Sequence, residues 1–149
     1  MKPRLHIYRR RLQCNRKIHS AASDPYNAFL FQSSAAGGEK TIAVKDNICS
    51  NHGVPTTCAS DMLRSLTLKY HAELDYRSPF IATLVTLLRK AGYTILAGAN
   101  MDEFGMGSTS TNTPIPVINS HKSLEGEDLI AGGSSGGSAV AVAAGITWV

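Results

Sequence analysis

Two short apolar runs predict buried strands on either side of a helix. The first, TIAVKDN at residues 41–47, begins with β-branched residues and stops at the turn signal Asp46-Asn47, with Lys45 at its end. The second run extends from Tyr93 to Ala97 and has the same apolar character. Both runs therefore predict strands that are buried within a sheet.

Residues 78–92 predict the helix between these strands. Ser78 can cap it, Pro79 suits its first position, Arg89 and Lys90 favour its negative end, and Gly92 stops it. One broad apolar face is filled by Ile81, Leu84, Val85, Leu87 and Leu88. A strand, a helix and a strand in this order predict an α/β fold with a right-handed crossover.

The remaining segments have weaker patterns. Residues 24–40 are small and polar, end in Gly37-Gly38 and predict an irregular connection. Residues 62–66 indicate the start of a short helix, and residues 67–77 show no clear period. The acidic residues of 125–128 predict a solvated surface turn. At 149 residues the chain is one domain or a piece of one.

The segment GGSSGGSAVAVAAG at residues 132–145 predicts a ligand-facing loop that opens into a buried helix. Its first seven residues are four glycines and three serines, so the backbone can approach a ligand closely and present N–H groups and hydroxyls to it. Residues 139–145 have no polar side chain, which is typical of a buried helix and not of a flexible linker. The loop would then lie at the positive end of the helix dipole.

Lys45 is a candidate general base. A lysine directly after a buried strand loses hydration, which disfavours its charged form and lowers its pKa. Lowering that pKa from about 10.4 toward 7 corresponds to roughly 4–5 kcal/mol, which a buried ammonium without a carboxylate partner can reach. The alternative is an ordinary solvated lysine on the protein surface.

Asp102 and Glu103 have two interpretations. They could act as a general acid and base, or they could be favourable acids at the N-terminus of a helix. Because they are neighbours in sequence, they would not usually point at one substrate atom. The pattern therefore favours the helix N-terminus.

The cysteines predict neither disulfides nor a metal centre. Cys14, Cys49 and Cys58 are odd in number and form no framework of pairs, which is typical of a reducing compartment. Cys49, His52 and Cys58 fit no standard zinc spacing, and a fourth ligand is missing. We therefore expect no metal site.

Charge separates a leader from the body of the chain. Residues 1–23 hold seven lysines and arginines and no acid, whereas residues 24–149 hold eight basic and eleven acidic residues. Leu5, Tyr8 and Leu12 would follow one side of a helix among the arginines. This pattern predicts a mitochondrial transit peptide over residues 1–23 and a location in the mitochondrial matrix. A basic nucleic-acid-binding arm is the alternative, and no apolar run is long enough to span a membrane.

Five motifs resemble those of the amidase signature family. They are VKDN at 44–47, PTTCAS at 55–60, SPF-x-AT-x-V-x-x-L at 78–88, NMDEFGMGS at 100–108 and GGSSGGSA at 132–139. Their order and character match the family. The resemblance implies that residues 24–149 are a partial amidase domain, the N-terminal portion of an α/β fold with a mixed sheet core covered by helices.

The resemblance also implies roles for individual residues. Family members use a Ser–cis-Ser–Lys triad, in which the lysine, matching Lys45, is the ultimate base. The first serine of GGSSGG, matching Ser134, relays a proton between that lysine and the nucleophile. Residues beside the substrate would be Met106, Gly107 and Ser108, and supporting residues of the loop would be Ser135, Gly136, Gly137 and Ser138.

Within the family, the chain resembles the glutamine-hydrolysing subunits of mitochondrial glutamyl-tRNA(Gln) amidotransferases. This similarity implies that glutamine hydrolysis supplies ammonia for the conversion of Glu-tRNA(Gln) to Gln-tRNA(Gln). The implied partners are a B subunit, a small C- or F-type subunit, glutamine and Glu-tRNA(Gln). No cofactor is expected on this chain, and ATP and magnesium are expected on a partner subunit.

The nucleophilic serine of the triad has no match in the sequence. The family pattern places it about 24 residues after Ser134, or about nine residues beyond Val149. We therefore expect the 149 residues alone to lack amidase activity. A non-catalytic assembly fragment of the same complex is the alternative for this polypeptide.

Residues 133–137 also fit G-x-S-x-G, the nucleophile elbow of α/β-hydrolases. Ser135 would then be the nucleophile of a serine esterase, which also requires a later acid and histidine. This interpretation leaves the motifs at 44–47, 55–60 and 100–108 unexplained. A phosphate-binding P-loop is excluded because no Lys-Ser or Lys-Thr pair follows the glycines.

Overall fold

The computed structural model describes residues 24–33, 40–50, 54–65, 76–147 and 149. The leader predicted over residues 1–23 lies outside the described residues, as do His52 and Leu66. The strands are β1 (Phe29–Gln32), β2 (Lys40–Lys45) and β3 (Tyr93–Ala99). The helices are α1 (Asp61–Ser65), α2 (Thr83–Lys90), α3 (Gly136–Ala143) and a short 3₁₀ helix (Glu103–Gly105).

The three strands form one mixed sheet with the order β1-β3-β2. β2 and β3 are parallel, and their register runs from Lys40 opposite Tyr93 to Lys45 opposite Ala99. The two predicted strands are therefore confirmed, and their carboxyl ends lie at the same edge of the sheet. That edge is where α/β proteins commonly place their ligands.

β1 corrects the prediction of an irregular connection over residues 24–40. Its four residues pair antiparallel with the end of β3, with Phe29 opposite Ala99. Phe29 is buried in the core. A run of four residues is too short to show a period, so the strand depends on its pairing with β3 rather than on its own pattern.

The start of α2 also differs from the prediction. The helix begins at Thr83, not at Pro79, and Ala82 occupies the N-cap position. Ser78 Oγ instead accepts a hydrogen bond from the N–H of Phe80 over 3.1 Å, which closes a local turn ahead of the helix. The predicted C-terminus is confirmed: Gly92 has φ of +84° and donates its N–H to the carbonyl of Arg89 over 2.9 Å.

The apolar face of α2 is narrower than the sequence predicted. Val85 is buried, but Leu84 and Leu87 are 49% and 58% exposed. On this face of the sheet, branched side chains form one cluster, which we call the α2 cluster: Ile42, Val44, Val54, Val85 and Ile95. Among the described residues, therefore, only a narrow stripe of α2 packs on the sheet.

The opposite face of the sheet is covered by α3. Its buried residues are Gly136, Gly137, Val140 and Ala141, as expected for a buried helix after the glycine- and serine-rich loop. Small side chains dominate the core there, which we call the α3 cluster: Ala28, Phe29, Ala43, Ala97, Val117, Val140 and Ala141. Because alternate residues of a strand point to opposite faces, β2 supplies Ala43 to this cluster and its neighbours to the other.

The acidic segment after residue 120 is a surface turn, as predicted. Glu125, Glu127 and Asp128 are exposed. Ser123 Oγ accepts hydrogen bonds from the N–H groups of Glu125 and Glu127 over 3.2 and 3.0 Å. In the part of the chain that the structure describes, no helix has the length and apolarity needed to cross a membrane.

Candidate active site

Lys45 and Ser134 are 89 residues apart in sequence and meet at the carboxyl end of β2. Lys45 Nζ donates a hydrogen bond to Ser134 Oγ over 2.8 Å. Both residues are half-buried. The structure therefore brings together the two residues to which the family resemblance gave catalytic roles.

The surroundings of this pair suit proton transfer. Among the described residues, the ion pairs are Arg64–Asp61 and Lys122–Asp128, so no carboxylate is paired with Lys45. In its charged form the lysine donates to the serine hydroxyl, and in its neutral form it can accept the hydroxyl proton over the same distance. The peptide bond between Gly133 and Ser134 is cis.

Two glycines let α3 approach the end of β3 closely. A Cβ atom on Gly137 would lie 2.5 Å from the carbonyl oxygens of Ala28 and Asn100. The Gly137 N–H donates to the Asn100 carbonyl over 3.2 Å, and the Gly136 N–H donates to Ser110 Oγ over 3.0 Å. This close approach positions the loop before the helix, and hence Ser134, beside the carboxyl end of β2.

Asn100 holds the segment that follows β3, a role that the sequence analysis missed. Its amide nitrogen donates to the carbonyls of Asn27 and Ile115 over 2.9 and 2.8 Å. Its amide oxygen accepts from the Met101 N–H and the Thr113 hydroxyl over 2.8 and 2.7 Å. The signal in the sequence was a polar residue directly after a buried strand. A polar side chain that is buried at such a place needs hydrogen-bond partners.

Asp102 and Glu103 lie at the start of a helix, as the sequence favoured, but Asp102 does not cap it. The Asp102 side chain makes no capping hydrogen bond to the 3₁₀ helix. Its two carboxylate oxygens accept the N–H groups of Ser110 and Asn112 over 3.0 and 3.2 Å. Asp102 is completely buried, whereas Glu103 is half-buried. The two acids therefore have separate environments.

Met106, Gly107 and Ser108 lie next to the loop that carries Ser134. The backbone of Ser108 is directly against Gly133, since a Cβ atom on that glycine would lie 2.6 Å from the Ser108 carbonyl carbon. Met106 is 81% exposed. The segment is therefore beside the candidate site and open to a ligand.

Ser135 and Ser138 lie after Ser134 in the loop and the first turn of α3. Ser135 is exposed at the N-cap position and makes no capping hydrogen bond. An α/β-hydrolase elbow has a strand leading into its nucleophile turn. Residues 114–135, all of them described, contain only the isolated bridge between Lys122 and Asp128 and no strand. This arrangement does not favour Ser135 as the nucleophile.

Asp46 organises the loop next to Lys45, which is a second role that the sequence analysis missed. Its buried carboxylate accepts hydrogen bonds from the Thr57 hydroxyl over 2.7 Å and from the Ala59 N–H over 2.9 Å. Burial raises the pKa of Asp46 above its ordinary value, although these hydrogen bonds lower it. Burial, followed by the charge of Asp46, also raises the pKa of the Cys58 thiol. The carboxylate thus fixes residues 57–59 at the edge of the site.

Cys49 and Cys58 are free thiols. The described residues contain no group of three histidine, cysteine, aspartate or glutamate side chains arranged to hold a metal ion. The third residue considered for a metal site, His52, lies outside the described ranges.

Comparison with known proteins identifies the family. The family described as Amidase matches residues 41–149. The chain is 50% identical over 105 residues to the glutamyl-tRNA(Gln) amidotransferase A subunit of Natronomonas pharaonis, a match that covers 70% of this chain and 22% of that protein. It is 43% identical over 134 residues to the mitochondrial A subunit of Yarrowia lipolytica, covering 89% of this chain and 26% of that protein.

A solved structure shows the same fold. The crystal structure of the glutamyl-tRNA(Gln) amidotransferase A subunit from Thermotoga maritima matches with a TM-score of 0.65 and 35% identity. The match covers 82% of this chain and 25% of that one. The chain therefore spans about a quarter of the length of the relatives it matches, and the predicted fold class is confirmed. By its sequence and its fold, the chain belongs to the amidase signature family.

Proposed function

We propose that residues 24–149 form the lysine–serine part of a glutamine-hydrolysing subunit of a glutamyl-tRNA(Gln) amidotransferase. The observation that carries the proposal is the 2.8 Å hydrogen bond between Lys45 Nζ and Ser134 Oγ at the carboxyl end of β2. The names of the Natronomonas pharaonis and Yarrowia lipolytica relatives support the choice of enzyme within the family.

In the proposed reaction, Lys45 and Ser134 activate a nucleophilic serine that the family pattern places beyond Val149. Neutral Lys45 accepts the proton of the Ser134 hydroxyl while Ser134 accepts the proton of the nucleophile. The nucleophile attacks the side-chain amide of glutamine, and the same proton path returns a proton to the leaving ammonia. Water then releases glutamate from the acyl-enzyme. Met106, Gly107 and Ser108 would lie along the bound glutamine.

The released ammonia would serve transamidation of Glu-tRNA(Gln) to Gln-tRNA(Gln) in a complex with a B subunit, together with a small C- or F-type subunit. The word "subunit" in the relatives' names supports such an assembly. The proposal assigns ATP and magnesium to a partner subunit.

The proposed location is the mitochondrial matrix. The Yarrowia lipolytica relative is a mitochondrial protein by name. The basic, acid-free residues 1–23 have the composition of a transit peptide. Import of a fluorescent protein fused to residues 1–23 would test this part, and a cytosolic or nuclear signal would contradict it.

The catalytic proposal is tested in a chimera. Residues 40–149 replace the matching segment of the Yarrowia lipolytica A subunit, which is produced with the partner subunits of that organism. Ammonia release from glutamine is then measured. We expect Lys45→Ala to lower kcat by at least about 10⁴-fold because the base is lost. Ser134→Ala should lower it by about 10²–10⁴-fold because the proton relay is lost.

Lys40→Ala is the matched control, because Lys40 lies on the same strand but is exposed at its other end. It should leave turnover unchanged. Ser135→Ala separates the proposal from the esterase alternative, since loss of a nucleophile would abolish activity and loss of a supporting hydroxyl would not. Unchanged turnover in Lys45→Ala or Ser134→Ala would show that the pair is not catalytic.

A further inference from the structure

Asp102 is a buried carboxylate that accepts hydrogen bonds from backbone N–H groups. It is 0% exposed. Its Oδ2 accepts the Ser110 N–H over 3.0 Å, and its Oδ1 accepts the Asn112 N–H over 3.2 Å. Among the described residues, no lysine or arginine forms an ion pair with it. Because both oxygens bind backbone N–H groups, the carboxylate fixes the path of the chain over residues 110–112.

The backbone of Asp102 is also hydrogen-bonded to the loop that carries Ser134. The Asp102 N–H donates to the carbonyl of Ser134 over 3.2 Å. Gly133, on the other side of the cis peptide bond, packs so closely on the Asp102 carboxylate that a Cβ atom there would overlap Oδ2. The position of Asp102 therefore sets the position of the Gly133–Ser134 peptide.

A second connection runs from Asp102 to the other side of Ser134. The Ser110 N–H donates a hydrogen bond to the Asp102 carboxylate, and the Ser110 hydroxyl oxygen accepts one from the Gly136 N–H over 3.0 Å. Ser110 is completely buried and has φ of +56°, a conformation that a non-glycine residue adopts only where its surroundings hold it. Asp102 therefore fixes the chain before Ser134 through Gly133 and after it through Ser110.

We propose that Asp102 is a positioning residue of the amidase reaction, which holds Ser134 so that its hydroxyl lies within proton-transfer distance of Lys45. This inference rests on the proposed function. Asp102 acts through the backbone around Ser134, because each of its carboxylate oxygens accepts a backbone N–H group. It therefore differs from its neighbour Glu103, whose carboxylate has no such bonds among the described residues.

Asp102→Asn is the variant that tests this role. It keeps the shape of the side chain but places an NH₂ group against one of two N–H donors, so that one bond is lost and two donors face each other. A displacement of about 1 Å in a catalytic group can lower the rate by about 10²-fold. We therefore expect kcat for glutamine hydrolysis to fall by about 10²-fold in the chimera, with a smaller change in KM.

A double-mutant cycle with Ser134→Ala separates positioning from a general structural role. A positioning residue acts only while the Ser134 hydroxyl is present, so Asp102→Asn should lower kcat strongly in the parent and cause little further loss in Ser134→Ala. A residue that only supports folding would lower the active fraction by the same factor in both backgrounds. That result, or full activity of Asp102→Asn, would overturn the proposal.

Two further variants complete the experiment. Glu103→Gln is the control for removing a neighbouring carboxylate and should keep the parent kcat. Asp102→Glu keeps the charge and both acceptor oxygens, and it replaces Asp102→Asn in the cycle if that variant does not fold.

If Lys45→Ala and Ser134→Ala retain activity, the proposed function fails, whatever Asp102→Asn does. If those two lose activity but the cycle is additive, only the positioning role fails.

Discussion

The two faces of the sheet differ in how closely their helices approach it. α2 packs on the sheet through branched side chains such as Val85. α3 begins with Gly136 and Gly137, so its backbone contacts the end of β3 directly. The hydrogen-bonded pair Lys45–Ser134 lies beside this close contact. A sheet face built from small residues thus allows two backbones to place Ser134 and Lys45 within hydrogen-bond distance.

The largest effect in this comparison is expected from Gly137→Ala. The added Cβ would lie 2.5 Å from two backbone carbonyl oxygens, and neither can rotate away as a side chain can. We expect a loss of about 3 kcal/mol in the free energy of unfolding and a severe loss of glutamine hydrolysis, because the loop before α3 must shift. Thermal unfolding and ammonia release of the chimera measure both effects.

The matched control is Gly92→Ala at the end of α2. A Cβ atom there would have no neighbour within 4 Å, so only the positive φ of +84° opposes the change. We expect a cost of about 1 kcal/mol and the parent kcat. Equal losses of activity in the two alanine variants would show that the close approach of α3 has no special role.

A smaller effect is expected from Val85→Ala in the α2 cluster. Val85 is fully buried, so removing its two methyl groups should lower the free energy of unfolding by about 2 kcal/mol. Leu87→Ala on the same helix, which is 58% exposed, should change it by less than about 0.5 kcal/mol. Both variants should keep the parent kcat. A strong fall in kcat for Val85→Ala would mean that the two faces are coupled.

The smallest effect concerns the pH dependence of stability at Asp46. Burial raises the pKa of Asp46 in the folded state, so the folded protein binds this proton more tightly than the unfolded chain does. The resulting stabilisation of the folded state is complete below the ordinary pKa of 3.8 and is lost as pH rises through the raised pKa. Asp46→Asn cannot lose a proton there. We therefore expect the Tm of the parent to fall relative to that of the variant as pH rises from below 3.8 toward neutrality. A constant difference in Tm over that range would contradict the expectation.

Local patterns were enough to predict the elements whose residues carry their own signal. β2 and β3 are apolar runs with turn signals, and Gly92 ends α2 through its own backbone conformation. β1 and the start of α2 depend on other segments. Phe29 is in a strand because β3 offers it a partner, and Ser78 bonds to Phe80 instead of capping the helix. Neither choice can be derived from the residues of the segment itself.

The residues of the candidate site also divide into those that the sequence predicted and those that it did not. Lys45 was a candidate base because it follows a buried strand, and the family resemblance, carried by the order of the motifs, implied the role of Ser134. The roles of Asp46 and Asp102 could not be predicted, because each carboxylate binds N–H groups of a following loop, 13 residues after Asp46 and 8 residues after Asp102, that reaches it only through folding. Glycine content predicted that residues 132–137 approach a ligand closely, whereas the close approach at Gly137 is to the chain's own backbone at Ala28 and Asn100.

The separation of 89 positions between Lys45 and Ser134 has a consequence for the order in which the chain folds. Closing a loop of that length costs about 4 kcal/mol of chain entropy, which the packing of α3 on the sheet must offset. Local hairpins and helices form in microseconds, whereas such a long-range contact forms with the last cooperative step. Until then Lys45 is an ordinary solvated lysine. The hydrogen bond between the two residues therefore exists only in a chain that has finished folding.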